Sequence, residues 1–230
     1  MKNNFSIILL NAFPDKKIKS LGNKYLIKIN KSNNIIDYQI KFLSSIFNNP
    51  QIIIVGCFES KRVKKYIDNK FSKFNVTYVD HDITQTTNIG TSIMQGIGGV
   101  ENNNVWILNS NVLLCKELSS IIYKNLSHSF VLTHKAKSNI GYIADKGRLI
   151  NCYYDLPNSI LDTIYIHKND FNQFNRVCSS GIEHLYFFEV LNLCISTNMK
   201  LNTVNVPSKS IYSIDSIVSI EKIKKKLCIN

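Results

Sequence analysis

The chain has 230 residues, 44% of them hydrophobic and 19% charged, with a formal net charge of +12. That balance excludes a disordered chain and suits a globular domain large enough to bury a full core without disulfide staples. The charge invites a nucleic-acid reading, but only three of the 28 basic residues are arginine (Arg62, Arg148 and Arg176), the residue best suited to bidentate phosphate and base contacts.

In chain order, Phe5–Leu10 reads as a first strand. Its apolar run is short for a signal segment, and no stretch approaches the ~18–20 apolar residues of a membrane span, so a cytoplasmic protein is expected. Apolar residues at helical spacing make 35–46 a helix. The sequence then alternates: strand 51–55, helix 60–69, strand 76–79, helix 89–99, strand 105–108 and helix 116–126. Short strands alternating with helices of about ten residues predict a parallel sheet with crossover helices. From residue 130 the pattern changes. Strand-like runs at 130–133, 141–144, 149–154 and 163–166 are joined by turns, and Asp145-Lys146-Gly147 is a hairpin signal. Helices at 169–177 and 182–197, a strand at 202–206 and a helix at 216–227 close the chain. No linker divides it. One domain is expected, with an α/β, Rossmann-like, mixed but mainly parallel sheet.

The six cysteines form no CxxC, and the five histidines show no HxxxH or HExxH spacing, so reduced thiols and no zinc site are expected. The lysine clusters at 61–65 and 222–226 are more often solvated helix faces than binding patches, and exposed aromatics do not interleave with them. A basic surface still favours small anionic ligands.

In open α/β sheets, ligands bind beyond the carboxyl ends of the strands. Three segments should meet there: 11–22, 80–88 and the tripeptide Asn109-Ser110-Asn111. The last stands where many α/β enzymes carry a metal-binding carboxylate.

These residues bear a resemblance to a family. "NKYLIKI" followed by "NIIDYQIKFL" is similar to the segment where sugar-phosphate and phosphocholine nucleotidyltransferases carry P-K-x-L and a helix. "TTNIGTSIMQGI" resembles their T-N-x-x-[ST] region, and "WILNSNVLL" their h-x-x-G-D-x-h-h strand end. "HLYFFEVLNLCI" and "SIYSIDSIVSIEKIKKKL" resemble their late helix and I-D-[ST] segment, the ending being nearest to cytidylyltransferases acting on choline phosphate.

The resemblance implies a nucleotidyltransferase or glycosyltransferase-A type fold, with residues 1–127 as the nucleotide half and 128–230 as the acceptor half. It implies transfer of a nucleotidyl group, CTP favoured, to a sugar phosphate or phosphocholine-like acceptor with release of pyrophosphate. Residue by residue, it puts Lys24 on phosphate, with Asp215 as its catalytic partner. Asn11, Ala12, Asn88 and Asn109 fall on the nucleotide, Glu189 near the acceptor, and Asn111 and Asp215 at a Mg²⁺ ion.

Two departures weaken that chemistry. The family pattern has an aspartate where this chain has Asn111, so Mg²⁺ should be weakly held. The glycine-rich first loop, L-A-A-G-x-G-x-R in the family, is replaced by "LLNAFPDKKIKSLG", which lacks an early glycine and arginine. Plain structural roles compete throughout. Asn88, Asn109 and Asn111 suit caps and turns, Asp215 suits a helix N-terminus, Glu189 a half-buried helix position and Lys24 the surface. The sequence therefore leaves open a weakly active transferase and a degenerate relative that binds a nucleotide, a sugar phosphate or a protein partner without turnover. A glycosyltransferase-like sugar-nucleotide binder and a homodimer also stay open.

Overall fold

The structure is a computed structural model that describes residues 5–11, 18–56, 58–80, 88–135 and 139–227, the side chain of Lys19 aside. The first half alternates as its periodicity demands: β1 (Phe5–Asn11), α1 (Ile35–Ile46), β2 (Gln51–Gly56), α2 (Ser60–Lys70), β3 (Val76–Asp80), α3 (Ile89–Gly98) and β4 (Asn104–Asn109). There follow β5 (Val112–Leu114), α4 (Ser119–Asn125), β6 (Phe130–His134), β7 (Ile140–Asp145), β8 (Arg148–Tyr154) and β9 (Ser159–Ile166). The chain ends with α5 (Phe171–Cys178), α6 (Phe187–Ser196), β10 (Asn202–Asn205), β11 (Ile211–Ser213) and α7 (Ile217–Leu227).

Nine strands form one sheet in the order β3-β2-β1-β4-β9-β6-β10-β8-β7. The quartet β3-β2-β1-β4 is parallel throughout. Beyond β4 the sheet is mixed: β9 runs antiparallel to both β4 and β6, β10 runs parallel to β6, and β7 and β8 form an antiparallel hairpin. The expectation of a mainly parallel sheet is corrected accordingly, because half of the neighbouring pairs among the described residues are antiparallel. The cause is local. Lys146 and Gly147 at the β7–β8 turn both take positive φ, 47° and 79°, which is the geometry of a tight antiparallel hairpin.

Within the parallel quartet β2, β1 and β4 are buried on both faces, and their side chains alternate between two cores. Ile7, Leu9, Ile52, Ile54, Trp106 and Leu108 pack against α1 and α2, while Ile8, Leu10, Ile53, Val55, Val105 and Ile107 pack against α3, α5 and α6. Each fully buried aliphatic side chain contributes about 1.5–3 kcal/mol of transfer free energy. Trp106, wholly buried, donates from Nε1 to Thr163 Oγ1 at 2.7 Å and so fixes β4 against β9.

Three sequence expectations shift. The helix expected from 182 begins at Phe187, where the Glu189 carboxylate accepts from Tyr186 N at 2.7 Å and caps it. The stretch expected as one helix over 116–126 divides into a 3₁₀ turn over 116–118 and α4. A separate two-stranded antiparallel sheet, β5 with β11, was not expected, since three residues are too few for a period to show.

Candidate functional site

The end of β4 is shaped by its own asparagines. Ser110 N donates to Leu10 O at 2.8 Å, so the chain leaving β4 is pinned to the end of β1. Asn109 Oδ1 accepts from Asn111 N at 3.2 Å, an Asx-type turn that reverses the chain before β5. The expected turn role of Asn109 is therefore real. Its amide also reaches across to β9, where Nδ2 donates to Asp162 Oδ2 at 3.2 Å.

The small β5–β11 sheet then brings the last third of the chain to this spot. Val112 pairs with Ser213, and Ile214 N donates to Asn111 O at 2.8 Å. Gln39 Nε2 holds Val112 O from α1 at 3.2 Å. Asp215 is thereby set beside Asn111 across more than a hundred residues of sequence. Partial burial alone would raise its carboxyl, but hydrogen bonds from Ser213, Ser216 and Ser219 outweigh this and hold it below the usual carboxylate range.

Lys24 arrives from the other side. It lies in a short 3₁₀ turn after β1, is only 5% exposed, and its ammonium donates to Asn111 Oδ1. Its turn is anchored by Asn23, whose Oδ1 accepts from Tyr25 N (3.0 Å) and from Asn11 Nδ2 (2.9 Å). Asn23 also donates from Nδ2 to Phe58 O (2.6 Å) and from its backbone N–H to Glu59 Oε2 (2.8 Å).

Lys24, Asn109, Asn111 and Asp215 are thus assembled in one region. Asn111 and Asp215 line a cleft of about 520 Å³ together with Asp162, His134, Tyr212 and Ser213. The remaining candidates are placed elsewhere. Asn11 is buried in its bond to Asn23. Asn88 caps α3 through Oδ1, which accepts from Ile89 N at 2.8 Å, and its backbone N–H donates to Glu183 O. Glu189 caps α6 and does not line the cleft. Ala12 lies outside the described residues.

Two cleft residues were missed by sequence reasoning. His134 ends β6 with Nδ1 buried and unpaired among the described residues, and burial lowers its pKa. Asp162 sits half-buried within β9, and burial pushes its carboxyl up to about 6 against the Asn109 hydrogen bond and the charge of Lys24. The available signal was a single carboxylate inside the otherwise uncharged "SILDTIYI".

The oxygen donors at this end of the sheet, two carboxylates and an amide, are of the kind a hard dication such as Mg²⁺ takes. Among the described residues no three His, Cys, Asp or Glu side chains converge as a metal cage. Nor, among those residues, is any helix long and apolar enough to cross a membrane.

No protein-family model and no curated protein matches the chain. Solved structures do. A CTP:phosphocholine cytidylyltransferase from Streptococcus pneumoniae superposes with a TM-score of 0.77 at 19% identity, covering 97% of this chain and 99% of that one. An inositol-1-phosphate CTP transferase from T. maritima gives 0.74 at 12% identity, over 96% and 95%. A UDP-glucose pyrophosphorylase complexed with UDP-glucose gives 0.71 at 12%, over 98% and 99%. At these identities the likeness speaks for the fold: over nearly its whole length, this chain has the fold of the nucleotidyltransferases.

Proposed function

We propose that the protein is a nucleotidyltransferase, taking a nucleotidyl group from a nucleoside triphosphate to a small phosphorylated acceptor with release of pyrophosphate. The carrying observation is the convergence of Lys24, Asn111 and Asp215 from three distant segments at the carboxyl end of β4. The ending of the sequence favours CTP as donor and a phosphocholine-like or sugar-phosphate acceptor, and the likeness to a CTP:phosphocholine cytidylyltransferase supports the same choice.

In the reaction, an acceptor phosphate oxygen attacks the α-phosphorus. A new P–O bond forms as the bond to the bridging oxygen breaks, and pyrophosphate leaves with that electron pair. Catalysis of such a step is positioning plus charge neutralisation. Lys24, already buried and fixed by the Asn23 anchor, puts its positive charge where the phosphates would lie. Asn109 holds the β4 turn in shape. Asn111 and Asp215 would hold Mg²⁺, which when bound supplies further charge neutralisation on the phosphates.

A second reading, a binder without turnover, is favoured by one specific feature. The Lys24 ammonium is bonded to Asn111 Oδ1, so that bond must open before the amide oxygen can meet a metal. The deciding experiment measures pyrophosphate release with CTP, UTP, GTP and ATP against phosphocholine and hexose 1-phosphates, at low-millimolar and high Mg²⁺ or Mn²⁺. Slow release that needs high metal is expected. A thermal shift with a nucleotide but no release would select the binder; a ligand at about 100 times its Kd stabilises the fold by about 2.7 kcal/mol. Neither release nor shift would sink both readings.

A further inference from the structure

We propose that Asp162, together with Asp215, holds the divalent cation of this cleft, Asp162 taking the position of charge that the neutral Asn111 leaves unfilled. The inference rests on the nucleotidyl-transfer reading for its substrate but on separate observations for its geometry. Asp162 lies on β9, the strand hydrogen-bonded to β4, and Thr163 is in register with Leu108, so Asp162 stands beside Asn109 at the carboxyl end of β4. Its neighbours Ile160, Leu161, Ile164 and Ile166 are buried and apolar.

A carboxylate half-buried in such a strand is costly unless a cation meets it. Among the described residues no salt bridge includes Asp162, and its hydrogen-bond partner is the neutral amide of Asn109, which turns Oδ2 toward the β4 end. Lys24, whose positive charge acts on Asp162, is bonded to Asn111 Oδ1 instead. The same bond makes Asn111 a weaker metal ligand than either carboxylate, because its amide oxygen carries no net charge and already accepts from an ammonium. A hard dication is commonly held by one or two carboxylates plus water and substrate phosphates. Asp162 and Asp215 line the same cleft and supply that pair.

The test uses Mn²⁺ as probe on the full chain. Mn²⁺ binding is measured by electron paramagnetic resonance, with and without CTP, for wild type, Asp162→Asn and Asp215→Asn. Each variant is expected to lose tenfold or more in Mn²⁺ affinity while circular dichroism stays native. Asp162→Asn binding Mn²⁺ within twofold of wild type overturns the proposal, as does a wild type that binds no Mn²⁺ in either condition. Should a variant not fold, amide line-broadening by Mn²⁺ on wild-type protein gives the answer: broadening centred on residues 161–163 and 214–216 supports the assignment, and broadening centred elsewhere overturns it. A nucleotide shift in metal-free buffer without Mn²⁺ binding would leave the transfer reading standing and remove Asp162 from it. Mn²⁺ bound at Asp162 with no nucleotide shift and no pyrophosphate release would do the reverse.

Discussion

Asn11 and Asn111 end neighbouring parallel strands or the turn that leaves them, and the same side chain does opposite work in the two places. Asn11 is 3% exposed, and its amide is committed to Asn23, which is tied in turn to Phe58 and Glu59. Asn111 faces a cleft, and its side-chain partner is a cationic lysine. The difference teaches that residue type and strand-end position do not separate an amide sealed in the core from one that opens on a cleft. What separates them is the surroundings: a neutral amide partner within the core for Asn11, a cationic partner and a cleft for Asn111.

The largest effect should come from breaking the structural end. Asn23→Ala removes the acceptor for Asn11 and Tyr25 and the bond to Phe58 O, and leaves the buried Asn11 amide unpaired. A loss of about 2–3 kcal/mol is expected in urea unfolding, since an unsatisfied buried polar group costs about 1–3 kcal/mol and a cap is lost as well. A change under about 0.5 kcal/mol would mean that the Asn11–Asn23 link holds nothing together.

The chemical end should respond in the other direction. Asn111→Asp converts the bond with Lys24 from an ammonium–amide contact into an ion pair and adds a carboxylate to the cleft. A gain of about 1 kcal/mol in stability and tighter Mn²⁺ binding are expected. Full turnover is not expected to return, because the first loop still lacks its glycines. A rate rising to that of an ordinary transferase in low-millimolar Mg²⁺ would show that Asn111 alone limits the reaction.

A smaller, pH-dependent effect separates the two ends further. The Asp162 pKa in the folded protein, about 6, lies above its ordinary value of 3.8. The folded state therefore binds that proton more tightly than the unfolded state. The resulting stabilisation is full below about 3.8 and is lost as pH rises through about 6. In metal-free buffer, Asp162→Asn should thus raise Tm at pH 7.5, with the gain vanishing near pH 4. An equal effect at both pH values would show that the carboxylate is not held in its charged form at a cost. The smallest effect is expected at Ser213→Ala, which removes one of the hydrogen bonds on Asp215 and should move that carboxyl upward in an NMR titration, with little change in Tm.

Much of the fold was legible because burial on both faces of β2, β1 and β4 leaves short, nearly continuous apolar runs between helices. The helix at 35–46 and the β7–β8 hairpin turn were read directly, the first from its period and the second from Asp-Lys-Gly. β5 and β11 were not, since three-residue strands carry no period of their own and exist through pairing with each other. That the sheet is not mainly parallel escaped for a related reason. Strand direction depends on where β9 inserts, between β4 and β6, and no local residue states that.

Of the candidate site, the sequence by itself pointed to the tripeptide at the end of β4, which stands where an apolar strand run stops, and, through the family resemblance, to Lys24 and to Asp215 before α7. Only the tertiary structure decided which of the many polar strand-end residues share a cleft. Asn11, Asn88 and Glu189 are spent on buried anchors and helix caps, whereas Asp162 enters the cleft from a strand more than fifty residues beyond Asn109. The physical reason is that hydrogen bonds and charge act over a few ångströms of space, and sheet order, not chain order, sets those distances.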